Sequence, residues 1–207
     1  GSELTVPCDV SVEGGIDTAM DTLAKSWNQI DFVVHAVAFA DKSELRGAYL
    51  NTSRENFTSS MMVSCYSLTE LARAALPFMK DHGGSIMTMS YLGANRITPN
   101  YNVMGVAKAA LESSVRYLAN DLGPDGIRVN AVSPGPVETP ILADFLETLG
   151  ERAEEDMKIM DRPGTPEDIA PVVLFLLSQG SVWLRGVNIA TDGGMRANID
   201  ATSNGLS

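Results

Sequence analysis

Short apolar runs alternate along the chain with stretches in which apolar residues recur every three or four positions. The short runs predict five β-strands, at residues 4–10, 31–36, 85–90, 127–132 and 187–191. The periodic stretches predict helices with one apolar stripe each, at residues 16–27, 52–80, 102–122 and 166–177. Such alternation builds strand–helix–strand units. We therefore predict one α/β domain over residues 1–207, a doubly wound, Rossmann-like parallel sheet with helices on both faces.

Two helix starts are marked by capping residues. Thr52 and Glu55 have the spacing of a capping box, which predicts the first turn of the second helix. Thr165 is followed by Pro166 and two acidic residues, the pattern of an N-cap, a first helical position and a first turn. Residues 142–160, between the fourth strand and the last helix, are charged and predict a further helical segment.

The charge balance limits the partners of the protein. Fifteen basic and 26 acidic residues give a formal net charge of −11, whereas nucleic acids and anionic membrane surfaces are held by clustered cations. No apolar stretch reaches the roughly 18 residues of a membrane span. The two cysteines and two histidines are scattered and give no metal-ligand spacing. We expect a soluble protein of a reducing compartment, the cytoplasm, without metal, nucleic-acid or membrane partners.

Chemistry in an open parallel sheet lies beyond the carboxyl ends of its strands. In this sequence those positions hold small residues and hydroxyl groups, at residues 9–10, 35–38, 89–91 and 133–139. Small residues at any single strand end are more typical of packing. Four such ends in succession suit a flat, extended cofactor.

Tyr101 and Lys108 are the sharpest pair of chemical side chains. They are seven residues apart, nearly two helical turns or roughly 10.5 Å, so both side chains are expected on one helix face. A lysine ammonium near a phenol favours the phenolate, so we expect a lowered Tyr101 pKa. Such a phenol can donate a proton or hydrogen bond to a carbonyl oxygen on which charge develops. The alternative is a surface lysine beside a tyrosine at the edge of the core.

The segment around this pair resembles a known family. Residues 99–112, PNYNVMGVAKAALE, look like the active-site helix of the enoyl-acyl-carrier-protein reductases, a divergent branch of the short-chain dehydrogenase/reductase superfamily. Ordinary members have their tyrosine four residues before the lysine, where this chain has Met104, and the enoyl reductases have it seven before, as here. Tyr91 lies seventeen residues before Lys108, where ordinary members have serine. Further similar segments are residues 8–10, 35–40, 52–57, 90–94 and 115–119.

The resemblance implies an NAD(P)H-dependent oxidoreductase that reduces trans-2-enoyl-acyl-carrier-protein thioesters in fatty-acid biosynthesis. It implies that Tyr101 hydrogen-bonds the oxygen of the enolate, that Lys108 holds the nicotinamide ribose, and that Tyr91, also counted as catalytic, and Met104 line the substrate pocket. The residues implied to contact NADH or NADPH, besides Lys108, are Asp9 and Val10 at the adenine, Ala36, Val37 and Ala38 at the adenosine ribose and pyrophosphate, Pro134, Gly135, Pro136, Val137 and Thr139 at the carboxamide and phosphates, with Met89 and Ser90 beside them. Family members pair their long helices. Because the two longest predicted helices are apolar over more than half their circumference, we expect a homotetramer.

The last third of the chain departs from the enoyl reductases. Pro134 stands where they usually have alanine, and residues 162–170 and 191–194 resemble ordinary short-chain dehydrogenases. Residues 141–162 correspond to the mobile substrate lid, but they are more acidic than the enoyl enzymes lead us to expect. An enzyme acting on another carbonyl or alcohol, and a catalytically silent member, therefore stay open as alternatives.

The start of the chain departs as well. The family begins with a strand, a glycine-rich turn and a helix that seat the pyrophosphate, followed by a second strand, on the order of 50 residues. These first strand–helix units are not among the residues given. Either such a segment exists elsewhere, or the chain is a remnant unable to bind cofactor alone. The choice between NADH and NADPH depends on the end of that second strand and also stays open.

Overall fold

The computed structural model describes residues 3–139 and 162–197, and at its centre lies a four-stranded parallel sheet. The strands are adjacent in sequence order: β1 (Phe32–His35), β2 (Gly84–Met89), β3 (Ile127–Pro134) and β4 (Asn188–Thr191). His35 lies opposite Thr88, and Thr88 lies opposite Ala131. The carboxyl ends of the strands therefore meet at one edge, and the predicted α/β class is confirmed.

Helices cover both faces of the sheet. They are α1 (Gly15–Leu23), α2 (Arg54–Met61), α3 (Ser67–Ala75), α4 (Asn102–Asp121) and α5 (Pro166–Leu177). Successive strand residues point to opposite faces, so Ile86 joins Leu68 and Leu111 in the larger core under α1, α3 and α4. The next residue, Met87, packs with Ile169 and Leu176 in a smaller core under α5.

The helix predicted over residues 52–80 is interrupted. Between α2 and α3 lies a π-helical turn, Met62–Tyr66, and a short 3₁₀ turn, Leu76–Phe78, follows α3. Three consecutive residues of the π turn, residues 63–65, are all buried. Turns of this kind are rare and frequently occur at functional sites.

The capping box predicted at Thr52 and Glu55 is wrong by one residue. Ser53 is the N-cap of α2, and its hydroxyl accepts a hydrogen bond from the Asn56 amide at 3.1 Å. The Thr52 hydroxyl donates instead to the Tyr49 carbonyl at 2.8 Å. Thr52 closes the preceding 3₁₀ turn, so its hydroxyl already serves another element.

The start predicted for the last helix is confirmed. Thr165 is the N-cap of α5, and it forms a reciprocal capping box with Asp168. The Arg162 guanidinium also pairs with the Asp168 carboxylate at 2.7 Å. These contacts, with the Arg162 hydrogen bond as the largest contribution, hold the pKa of Asp168 well below its usual range.

Two strand predictions need correction. Residues 4–10 are not a strand and do not join the sheet, and Pro7 in their middle has no N–H to donate to a neighbouring strand. The strand predicted at residues 31–36 forms over the shorter range of β1, and Phe32 and Val34 are exposed at this edge of the four-stranded sheet. The charged segment 142–160 and residues 141–161 of the predicted lid lie outside the described residues.

Candidate active site

Lys108 lies at the carboxyl end of β2. It projects from α4, and its ammonium donates a hydrogen bond to the Met89 carbonyl at 2.7 Å. The side chain is 5% exposed, and desolvation lowers the Lys108 pKa to about 8. A buried ammonium at a strand end supplies both a positive charge and N–H donors to the crevice beyond the sheet.

Tyr101 lies directly before α4 rather than within it. Its ring packs edge-on against the ring of Tyr91, with the centroids 4.9 Å apart and an interplanar angle of 62°. The flanking residues Asn100 and Asn102 both have positive φ, 57° and 30°, a conformation that asparagine tolerates better than most residues. The Asn102 amide donates to the Gly47 carbonyl at 3.2 Å, which ties this strained segment to the loop before α2.

A glycine provides the space for the Tyr101 ring. A Cβ atom at Gly93 would lie 2.5 Å from Cδ1 and 2.8 Å from Cε1 of Tyr101. A Cβ atom at Gly105 on α4 would in turn lie 2.9 Å from the Gly93 carbonyl oxygen. The ring, the loop after β2 and the first turn of α4 are therefore in close contact at these two glycines.

The predicted lowering of the Tyr101 pKa is wrong. Desolvation, with a smaller contribution from Tyr91, raises the pKa of Tyr101 far above its ordinary value. Lys108 is not among the causes, since its ammonium is directed at the Met89 carbonyl. The phenol is therefore protonated at neutral pH and is suited to donate a hydrogen bond, not to act as a base.

A pocket of about 860 Å³ opens beside Tyr101. Met104, which follows Tyr101 by three residues on α4, lies in its wall with residues 38–42. The Ser64 hydroxyl anchors that wall at Phe39. It accepts a hydrogen bond from the Phe39 backbone amide at 2.9 Å and donates one to the Phe39 carbonyl oxygen at 3.0 Å. The same hydroxyl lies 3.7 Å from the Met104 sulfur. The pocket thus has an apolar wall beside a phenol, which suits an acyl chain attached to a carbonyl.

The remaining predicted residues are spread along the carboxyl edge. Ala36, Val37 and Ala38 follow β1, and Ala38 reaches the pocket. Beyond β3, the main chain pairs with Gly164, whose amide donates a hydrogen bond to the Pro136 carbonyl and which forms a β-bridge with Val137. The Gly135 amide donates a hydrogen bond to the Thr191 carbonyl at the end of β4. Thr139 lies at the end of the described segment.

Asp9 and Val10 lie in the turn that leads into α1. The Asp9 carboxylate accepts hydrogen bonds from the amide and hydroxyl of Ser11 at 2.9 and 2.7 Å. These bonds lower the Asp9 pKa, the side-chain bond contributing most. Val10 packs against the larger core, so only Asp9 presents a polar group here.

Sequence reasoning missed residues that shape the site through tertiary contact. Ser64 carries no local signal, because its contacts join segments distant in the chain, and Gly93 lies in a segment quoted for the resemblance without a role for the glycine. His35 is buried between two hydroxyl groups, with Nδ1 2.8 Å from Thr88 Oγ1 and Nε2 2.8 Å from Ser67 Oγ. Burial and, to a smaller extent, the charge of Lys108 lower the His35 pKa to about 4, so its ring is neutral at neutral pH.

The donor set of the site fits a dihydronicotinamide cofactor. Lys108 uses one of its three N–H bonds on the Met89 carbonyl and can present others to vicinal hydroxyl groups such as those of a ribose. Over residues 3–139 and 162–197, no group of three potential metal-ligating side chains comes together. The helices described there include none long and apolar enough to cross a bilayer.

The fold and these strand ends define a Rossmann-like α/β domain of the short-chain dehydrogenase/reductase type. The sequence profile of the family described as enoyl-(acyl carrier protein) reductase matches residues 1–196. Enoyl-acyl-carrier-protein reductase (NADH) 2 of Rhizobium meliloti is 46% identical over 187 residues, which are 90% of this chain and 68% of the relative. The chain therefore belongs to the enoyl-(acyl carrier protein) reductase family.

Solved structures give the same result. The reductase of Anaplasma phagocytophilum in complex with NAD superposes with a TM-score of 0.85 at 47% identity, covering 94% of this chain and 72% of that one. The Bacillus cereus enoyl-acyl carrier protein reductase with NADP+ and indole naphthyridinone superposes with a TM-score of 0.87 at 39% identity, covering 95% and 77%.

Proposed function

We propose that this protein reduces trans-2-enoyl-acyl-carrier-protein thioesters with NADH or NADPH in fatty-acid elongation. The observation that carries the proposal is the position of the Tyr101 phenol in the wall of an apolar pocket beside Met104, where burial disfavours its ionised form and raises its pKa. Seven residues further along the chain, the buried ammonium of Lys108 lies at the end of β2. Relatives named for NADH and for the acyl-carrier-protein thioester reduction support the assignment.

The residues of the chain divide the work of the proposed reaction. A bound dihydronicotinamide would supply a hydride to the β-carbon of the enoyl group. Tyr101 donates a hydrogen bond to the thioester oxygen, and this bond strengthens as negative charge develops there. Tyr91 fixes the Tyr101 ring by edge contact, while Met104 packs against the acyl chain. Lys108 directs its ammonium to the ribose hydroxyls.

We propose the cofactor contacts along the same edge. Ala36, Val37 and Ala38, together with Met89 and Ser90, would lie beside the middle of an extended dinucleotide, and Asp9 with Val10 beside its adenine. The turn from Pro134 to Thr139 would lie at the carboxamide and phosphates. Apart from Asp9 and Val10, which lie in the turn before α1, these residues end or follow strands on the carboxyl side of the sheet, where the ligands of such folds bind.

The test is a steady-state assay of the purified protein with crotonyl and longer 2-enoyl thioesters, followed by loss of NADH or NADPH absorbance. We expect turnover with the thioesters and none with a panel of ketones. Tyr101→Phe should lower kcat about a hundredfold, the typical effect of one oxyanion donor, while NADH binding is unchanged. Turnover of ketones alone would assign the protein to another carbonyl, and NADH binding without any turnover would indicate a silent member.

We also propose a homotetramer. Apolar side chains are exposed on two separate surfaces. One, on α5 and the turn after it, includes Leu174 at 66% and Trp183 at 93% exposure. The other, on the helices of the opposite face, includes Phe57, Met62 and Tyr117. Closed symmetry of a tetramer needs at least two distinct interfaces.

Size-exclusion chromatography with light scattering tests the assembly. We expect a tetramer for the natural sequence and a dimer for Trp183→Asp, because the charge would disrupt only the interface at α5. A stable monomer for the natural sequence would refute the proposal. For its location we propose a reducing compartment, the cytoplasm, since Cys8 is an exposed free thiol and Cys65 a buried one.

A further inference from the structure

A carboxylate on α4 joins three separate elements near the active site. Glu112 lies one helical turn after Lys108, and its Oε1 accepts a hydrogen bond from the Ser90 hydroxyl at 2.6 Å. The same oxygen accepts a hydrogen bond from the side-chain amide of Asn188, at the start of β4, at 2.5 Å. The side-chain amide of Asn95, in the loop after β2, donates a hydrogen bond to Glu112 Oε2 at 3.1 Å.

The geometry of this contact set suits a carboxylate. A carboxylate is an acceptor only, and all three neighbours present donors to it. A glutamine at position 112 would keep one acceptor oxygen but direct its own N–H donors at the amides of Asn95 or Asn188. Hydrogen bonds to a carboxylate are shorter and stronger than bonds to a neutral acceptor, so Glu112 is well suited to tie these three elements together.

The same helix face therefore holds two consecutive residues of the strand end. Lys108 holds the Met89 carbonyl and Glu112 holds the Ser90 side chain. Ser90 is also fixed through its amide, which donates to the Val132 carbonyl of β3 at 2.7 Å. The next residue is Tyr91, whose ring contacts Tyr101 at a centroid distance of 4.9 Å.

We propose that Glu112 is a positioning residue that fixes Tyr91, and through it the Tyr101 phenol, independently of Lys108. This inference rests on the proposed function. Lys108 has two uses in that function, since its ammonium binds the Met89 carbonyl and would also bind a ribose. With Ser90 held by Glu112, the strand end has a second anchor besides the bond from Lys108 to the Met89 carbonyl.

The first experiment compares Glu112→Gln with the natural sequence. We expect kcat with crotonyl thioester to fall about tenfold, the effect of losing one charge-assisted hydrogen bond. The Kd for NADH, measured by fluorescence, should stay within about twofold, because Lys108 is untouched. The matched control is Glu70→Gln on α3, outside this network, for which both constants should be unchanged.

The second experiment does not depend on activity. Urea unfolding of Glu112→Gln, Ser90→Ala and the double variant forms a double-mutant cycle. Because Ser90 and Glu112 share one hydrogen bond, the double variant should have a urea midpoint close to that of the less stable of the two single variants. If Glu112→Gln does not fold, Ser90→Ala alone should show the same fall in kcat with an unchanged Kd for NADH, whereas the loss of a cofactor contact would raise that Kd.

The outcomes separate this inference from the proposed function. An inactive natural protein would refute the proposed function and the positioning role with it. If the natural protein is active, a kcat within about twofold for Glu112→Gln overturns the positioning role alone. A parallel loss of NADH binding and kcat, or additive midpoints in the cycle, would also overturn it, because a general loss of structure or independent side chains would then explain the effect.

Discussion

Replacing Gly93 by alanine should impair catalysis by moving one ring. The glycine lies in the loop after β2, and its φ is not in the left-handed region, so alanine fits the backbone without strain. The added methyl group would, however, lie 2.5 Å from Cδ1 of Tyr101. Tyr101 is packed against Tyr91, whose ring the same Cβ atom would also contact at 3.4 Å, so we expect the clash to displace the phenol itself.

The size of the displacement follows from the geometry. Ordinary contact with a Cβ atom begins at 3.4 Å, so the ring must shift by about 0.9 Å, the difference from 2.5 Å. A misplacement of about 1 Å at a catalytic group can cost about a hundredfold in rate. We therefore expect Gly93→Ala to lower kcat by one to two orders of magnitude, roughly as far as Tyr101→Phe.

The assay is steady-state reduction of crotonyl thioester, with urea unfolding and NADH affinity measured in parallel. The matched control is Gly123→Ala, where the new methyl group would lie 3.9 Å from the nearest atom, on Arg185. This control should keep full activity and be slightly more stable, because alanine reduces the freedom of the unfolded chain. If Gly93→Ala folds, binds NADH normally and retains kcat within about twofold, Tyr101 is not the hydrogen-bond donor of the reaction.

Three further predictions concern buried polar groups. Because the Lys108 pKa is about 8, the Kd for NADH should rise about tenfold between pH 7 and pH 9 as the ammonium loses its proton. The Lys108→Met variant should bind NADH weakly at both pH values. An equal Kd at pH 7 and pH 9 for the natural protein would contradict the role of Lys108 in cofactor binding. The folded protein keeps His35 neutral down to about pH 4, whereas the unfolded chain binds a proton from about pH 6.5. Urea unfolding should therefore show stability falling as the pH drops through this range, by about 3 kcal/mol, and His35→Gln should lose that part of the dependence; identical slopes for both proteins would refute it. Ser64→Ala should lower the free energy of unfolding by about 2 kcal/mol and raise the KM for the enoyl thioester, since the pocket wall at Phe39 loses its anchor. An unchanged unfolding midpoint for this variant would show that the anchor contributes nothing to stability.

Local sequence pattern predicts the elements of this fold well where each element is decided within its own residues. The helix over Pro166–Leu177 forms as expected, because its cap, its first-turn acids and its apolar stripe all lie within it. Residues 4–10 read as a strand from composition alone, but a strand exists only with a partner beside it. The exposure of Phe32 and Val34 in β1 likewise depends on the position of β1 in the sheet, which no local pattern records.

The candidate site divides in the same way. The position of Lys108 at a strand end follows from helix spacing and from the general location of ligands in parallel sheets. The protonation of Tyr101 does not, because it depends on desolvation and thus on everything that packs around the ring. The roles of the cofactor residues from Asp9 to Thr139 stay predictions, since they concern a ligand rather than the fold.

The π turn between α2 and α3 sets how this protein can change in length. Its one additional residue per turn rotates everything after it by about 100° relative to a regular helix. If the same residues wound as a regular helix, Leu68, Ala72 and Ala75, which α3 now buries, would be turned away from the sheet. Deleting a single residue in the turn would restore regular winding and leave these side chains facing the sheet, because the wide turn already takes up that residue. Loops of this fold tolerate insertions and deletions, and this turn allows a helix to differ in length by one residue as well.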